Sequence, residues 1–185
     1  MSKSNFIRLS GWAFMLGALA LLFSFMSGSA AGFFATSILL AIGMLGLRTR
    51  YGEKAGNFGK NMLLAGVIGM VLTYVAIPIF GQVEVLYLLP YAGPAVLLGG
   101  LTISGIAALS KKPLSNFNWL PTFAGLAYPL IFFPIFFYVL MNNGEWPPES
   151  FPYTVIQIIL LVQTVALLLL GAILQTDVTK ETVPA

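Results

Sequence analysis

Few residues in this sequence could do chemistry. It contains no histidine and no cysteine, and its acids are Glu53, Glu84, Glu145, Glu149, Asp177 and Glu181. Without imidazole or thiolate, the usual zinc, haem, copper and iron–sulfur ligand sets cannot be assembled. A Ser-His-Asp triad is equally out of reach, as is a cysteine nucleophile paired with histidine. No G-x-x-x-x-G-K-[ST] loop is present to cradle phosphate, and no Gly-rich turn leads out of a strand. The basic residues make no aromatic-interleaved surface of the kind that binds nucleic acid. The expectation is a protein that is not an enzyme and has no cofactor, metal or nucleic-acid partner.

Two candidate sites remain. Glu84, between Gln82 and Tyr87, is the acid nearest to an apolar segment. It could hold a cation or proton at the mouth of a cavity beneath Pro90 and Tyr91. The plainer reading is an interfacial loop carboxylate, which short outer loops tolerate. Tyr87, Tyr91, Gln157 and Thr164 complete that candidate cavity. The second candidate is the basic run Arg48, Arg50, Lys54 and Lys60, which could contact anionic lipid headgroups. The plainer reading is a signal that orients the chain in the membrane. Glu53 and the flexible Gly52, Gly56 and Gly59 argue against a rigid pocket there.

The elements that must carry these residues follow from charge and hydropathy. Of the 185 residues 58% are hydrophobic and only 8% charged, against roughly 25% charged in a soluble domain. Such a chain cannot cover a water-facing surface, so lipid must be its solvent. Charged residues are absent from 9–47, 61–83, 85–110, 113–144 and 150–176. A span needs about 20 apolar residues, so the first gap accommodates two and each of the others one. The expected fold is therefore an all-α polytopic bundle forming one membrane domain over residues 1–185. Its six transmembrane helices are expected near 9–26, 32–47, 62–81, 85–109, 119–141 and 154–174, with a short polar tail over 175–185.

That threading sorts the charges. Lys3, Arg8, Arg48, Arg50, Lys54, Lys60, Lys111, Lys112 and Lys180 all fall on one side; Glu84, Glu145 and Glu149 fall on the other. Lysine and arginine stay in the cytoplasm, so both termini are expected inside a bacterial-type plasma membrane. The basic start and the small residues Ser27–Ala31 also fit a cleaved signal peptide. Its apolar stretch, however, exceeds the 7–15 residues or so of such a peptide and suits an uncut span.

Helix packing should run through small residues, because leucine gains little by leaving lipid for leucine. Ser10, Ala13, Gly17, Ala20, Ser24 and Ser27 form such a seam in the first helix, and Gly66, Gly69, Thr73 and Ala76 form one in the third. Gln157, Thr164 and Gly171 share a heptad face that should point inward, leaving Gln163 in need of a separate partner. The glycines of the fourth helix should nest against the aromatics of the fifth, and prolines should kink both. Asn5-Phe6, Asn57-Phe58 and Asn116-Phe117 each precede an odd-numbered helix, which reads as three helix hairpins of similar design.

The leading functional expectation is an accessory or structural membrane component, contacting the bilayer and other membrane proteins or itself. The alternative is a small transporter or channel for an uncharged or lipid-like substrate, with the kinked fourth and fifth helices as its moving part.

Overall fold

A computed structural model describes residues 2–80, 89–114, 117–142, 144–148 and 153–181. The described chain is all-α: α1 (Lys3–Ser27), α2 (Ala30–Phe80), α3 (Leu89–Lys111), α4 (Leu120–Met141) and α5 (Tyr153–Glu181). All five are long and apolar enough to cross a membrane. The count is five, not the six read from the sequence. The expected second and third helices join in one element, because residues 48–60 lose hydropathy while staying helical on both sides of Gly56, where the backbone is not helical. Arginine, lysine, glutamate and alanine in that stretch are good helix formers, and charge alone does not end a helix. The tail also differs. No proline or glycine lies between Gly171 and Pro184, and α5 continues to Glu181.

A straight helix of 51 residues would reach about 75 Å at 1.5 Å per residue, more than twice a hydrocarbon core of about 30 Å. The helix is not straight. Gly56 has φ 83° and ψ 163°, a conformation essentially reserved for glycine, and the two arms fold back on each other. Ser37 Oγ lies 2.7 Å from Tyr74 OH, and Met44 lies against Gly66. Gly52 and Gly59, expected to be flexible, are buried helical residues; only Gly56 makes the bend.

Each helix packs on the next in chain order, and α5 closes on α1. The contacts are small-residue contacts, as close packing in lipid requires. Gly17 meets Leu40, Gly43 meets Phe14 and Gly46 meets Ser10 between α1 and the first arm of α2. Gly66 and Gly100 pack backbone to backbone between its second arm and α3, and Gly11 meets Gly171 between α1 and α5. The expected nesting of α3 glycines on α4 aromatics does not occur. Gly105 packs on Thr122 and Gly125 on Leu98 and Thr102, while Gly99 faces open space. A small side chain lets two backbones approach more closely than a ring does, so the seam selects threonine and glycine. The rings of Phe123, Phe133 and Phe137 are exposed instead.

The core between the helices is apolar, built on Phe14, Phe33, Met44, Leu97, Leu101 and Leu167. Its buried hydroxyls are largely self-satisfied. Ser10, Ser37, Thr102 and Thr164 each donate to the carbonyl four residues earlier on their own helix, a bond that holds the hydroxyl in place without a partner helix. One end of the bundle is basic: Ser10 sits by Gly46, and Lys111 Cε lies 4.0 Å from a Cβ position at the Gly56 bend. The other end carries the Gly28 turn and the Asn142–Pro148 connection with exposed Glu145.

Candidate functional site: an aromatic cavity at the end away from the basic residues

Five helices and one connection line a cavity of about 420 Å³ at that end. Phe25, Met26 and Gly28 close it from α1, Phe33 from α2, Tyr91 from α3, and Trp146 from the connection into α5. The longest wall belongs to α4, where Tyr128, Phe132 and Phe136 recur every fourth residue and so line one face. Tyr128 stacks at 6.3 Å on Phe132, which stacks at 5.6 Å on Phe136. Among the described residues, Gln157 of α5 contributes the only side-chain amide to the lining, and none of the lining residues is charged. The volume falls within the roughly 300–1,000 Å³ of small-molecule sites, which are mostly apolar with a few placed polar groups.

An interior proline in α3 frees a backbone carbonyl beside the wall, and a tyrosine of α2 reaches it. Pro94 has no N–H, so the carbonyl of Pro90 loses its helical donor. The single proton of Tyr74 OH is shared among three acceptors, the Ser37 Oγ at 2.7 Å, the carbonyl of Phe33 at 3.3 Å and that of Pro90 at 3.4 Å. The hydroxyl thereby joins both arms of α2 to the start of α3. Tyr128 OH donates to the carbonyl of Tyr91 at 3.1 Å, and Tyr91 OH to that of Gly28 at 3.4 Å. The Phe33 ring meets Tyr91 edge-on at 4.8 Å. These bonds fix the wall but leave the phenol groups already engaged with the backbone.

Tyr74→Phe is expected to lower stability by about 0.6 kcal/mol and at most about 1.7 kcal/mol, the range of interhelical hydrogen bonds in membranes. Thermal denaturation in mild detergent measures it. Ser37→Ala in the Tyr74→Phe background should add little, because the two residues share one bond.

The sequence-derived residues are dispersed. Tyr91 and Gln157 line the cavity, whereas Thr164 is buried on α5 with its hydroxyl spent on Leu160. Glu84 and Tyr87 lie outside the described residues. The shared inward face of Gln157 and Thr164 therefore splits: Thr164 is in the core, and Gln157 is exposed at the cavity. Gln163 found its separate partner in the carbonyl of Ala124, at 2.7 Å, with its own side-chain oxygen unpaired. Phe33, Phe132, Phe136 and Trp146 were not anticipated as lining residues. The four-residue repeat Tyr128, Phe132, Phe136 was the available signal, but in an aromatic-rich span it does not stand out.

The basic run forms no comparable site. Lys60 reaches Glu53 across the bend at 3.9 Å, with Glu53 almost wholly exposed, an arrangement of little energetic weight. Lys54 is exposed, and Arg48 and Arg50 are half-buried. The nearby hollow of about 30 Å³ is lined by Leu47, Tyr51, Leu63 and their neighbours and by none of the four. Compared with protein-family models, curated proteins and solved structures, the chain matches none of them.

Proposed function

We propose that this multi-pass membrane protein is not an enzyme and that it binds an uncharged, largely apolar molecule in the aromatic cavity. The observation that carries this reading is the cavity of about 420 Å³ whose described lining is uncharged, with the Gln157 amide at its edge. A charged solute would enter at a large desolvation cost with no countercharge among those residues to meet it. The runner-up expectation, a transporter or channel for uncharged or lipid-like substrates, is thus favoured over a purely structural role. Small-residue faces were the reason to expect an accessory role, and those of α1, α2, α3 and α5 are consumed by contacts within the chain. They leave little of that signal for other membrane proteins or a second copy.

In this reading each arm of α2 crosses the bilayer separately, giving six passes from five helices. The basic end faces the cytoplasm of a bacterial-type plasma membrane, since lysine and arginine resist translocation. The cavity then opens toward the outer leaflet.

The test uses full-length protein with Trp12→Phe and Trp119→Phe, leaving Trp146 as the sole tryptophan. In phosphatidylcholine vesicles, titration with a chain-brominated monoacylglycerol should quench Trp146 along a saturating curve. A brominated fatty acid, ionised at pH 9, should need on the order of 10-fold more, about 1.4 kcal/mol of discrimination. Quenching that only rises in proportion to the brominated lipid would identify ordinary lipid contact and defeat the proposal.

A further inference from the structure

The aromatic cavity adjoins a second hollow of about 240 Å³ between α1 and α5, and Phe25, Met26 and Gln157 belong to the walls of both. The seam between these helices is closed at one end and open at the other. Near the basic end Gly11 and Gly171 let the backbones touch: a Cβ on Gly11 would lie 2.8 Å from the carbonyl oxygen of Gly171. Followed along the same antiparallel seam, Leu22 comes to face Leu161 and Met26 to face Gln157, and here the hollow opens. Small residues bring helices together and bulky ones hold them apart. The seam therefore widens toward the cavity.

The surface around the hollow is one that lipid covers. Phe23 is 69% exposed, Met26 72%, Ile158 57% and Leu161 53%. Within this apolar surface the side-chain amide of Gln157 has no hydrogen-bond partner among the described residues. An amide in such a setting gains by finding a partner. Thr154, three residues earlier and so on the same face of α5, lines the hollow beside it. An amide donor, an amide acceptor and a hydroxyl at the lip of an uncharged aromatic cavity match one kind of molecule: a long apolar chain ending in an uncharged hydroxyl or ester head.

Resting on the binding reading above, we propose that the ligand is an uncharged long-chain amphiphile that enters from the outer leaflet between α1 and α5. Its head bonds to Gln157 and Thr154, and its chain lies along Phe136 and Phe132 toward Tyr128. Leu22, Phe25 and Met26 form the doorway. A phospholipid is disfavoured, because neither hollow has a cationic lining residue among the described residues to receive its phosphate.

The experiment uses the sole-Trp146 protein in phosphatidylcholine vesicles, with chain-brominated monoacylglycerol as the probe. Gln157→Leu should raise its apparent Kd on the order of 10-fold, as loss of a bond or two to an uncharged head does. The same variant should leave the Kd of a brominated alkane without a head unchanged. Because the chain has no native cysteine, Leu22→Cys with Leu161→Cys can be bridged cleanly by a short bis-methanethiosulfonate. The bridge should slow the onset of Trp146 quenching at least about 10-fold, the scale of a barrier raised by about 1.4 kcal/mol, and reduction should restore it. Saturable quenching with the same rate bridged or reduced would overturn the lateral route while leaving the cavity reading intact. An unchanged Kd in Gln157→Leu would overturn the head site, and equal saturable quenching by brominated phosphatidylcholine would overturn the uncharged-head class. Absence of saturable quenching in the unsubstituted sole-Trp protein would remove both the cavity reading and this one.

Discussion

Gly125→Ala is expected to destabilise the bundle by about 3 kcal/mol, at the upper end of what overpacking costs, and to broaden or abolish its monodisperse peak in mild detergent. The added Cβ would lie 2.5 Å from the carbonyl oxygen of Leu98 and 2.6 Å from the amide nitrogen of Thr102. Both are backbone atoms of α3, so no side-chain rotation relieves the clash; the helices must separate. Separation would also loosen the reciprocal contact, where Gly105 packs on the backbone and hydroxyl of Thr122. Gly99→Ala is the matched control. It lies on α3 one residue from tightly packed Gly100, yet nothing stands within 4 Å of its Cβ position. There alanine should be neutral or stabilising by up to about 1 kcal/mol, through helix propensity and a less flexible unfolded chain. Thermal midpoints of the two variants in the same detergent decide the matter. Equal midpoints would mean that α3 and α4 do not meet at Gly125.

Gly56→Ala is expected to cost about 1–3 kcal/mol, the price of a side chain forced into a glycine-only backbone region. The position has open space, with only Lys111 Cε as near as 4.0 Å, so the cost is conformational rather than steric. Asparagine sharpens the test. Asn tolerates the left-handed helical region, but ψ 163° at Gly56 lies outside it, so Gly56→Asn should be no better than alanine. Gly28, with φ 65° and ψ 17°, is a left-handed helix cap, and Gly28→Asn should be well tolerated. A thermal series over the four variants Gly56→Ala, Gly56→Asn, Gly28→Ala and Gly28→Asn would show this pattern. If Gly56→Asn recovered stability over alanine, the bend would have a different backbone from the one described.

The bend also has a consequence for the cavity. It sets the register of the two arms of α2, and that register brings Tyr74 beside Ser37 and Phe33 beside Tyr91. Slippage of one arm would take Tyr74 OH away from the Pro90 carbonyl that Pro94 leaves without a helical donor. Stability and cavity shape are therefore coupled through one glycine some distance from the site.

What could be read from residues alone was the solvent and the lack of imidazole and thiol groups. Long charge-free stretches demand lipid whatever the packing, because desolvating a charge costs more than any contact returns. The missing histidines and cysteines excluded their ligand sets and nucleophiles just as directly. Small-residue seams were legible for the same reason: in lipid, only close approach holds helices together, and Gly17, Gly66 and Gly171 advertise where backbones can meet.

Tertiary structure decided the rest. Hydropathy falls between 48 and 60, but helical hydrogen bonding is indifferent to hydropathy, so helix runs into that stretch from both sides and the two arms meet at Gly56 in one bent element. Periodicity placed Gln157 and Thr164 on a common face, yet a face gives only an angle around a helix. How far the neighbouring helix stands off at each level separates a core threonine from a glutamine at an opening. Likewise the aromatic residues of α4 are interchangeable in sequence. Only the way the neighbouring helices come together around Tyr128, Phe132 and Phe136 determines which rings face lipid and which enclose a space.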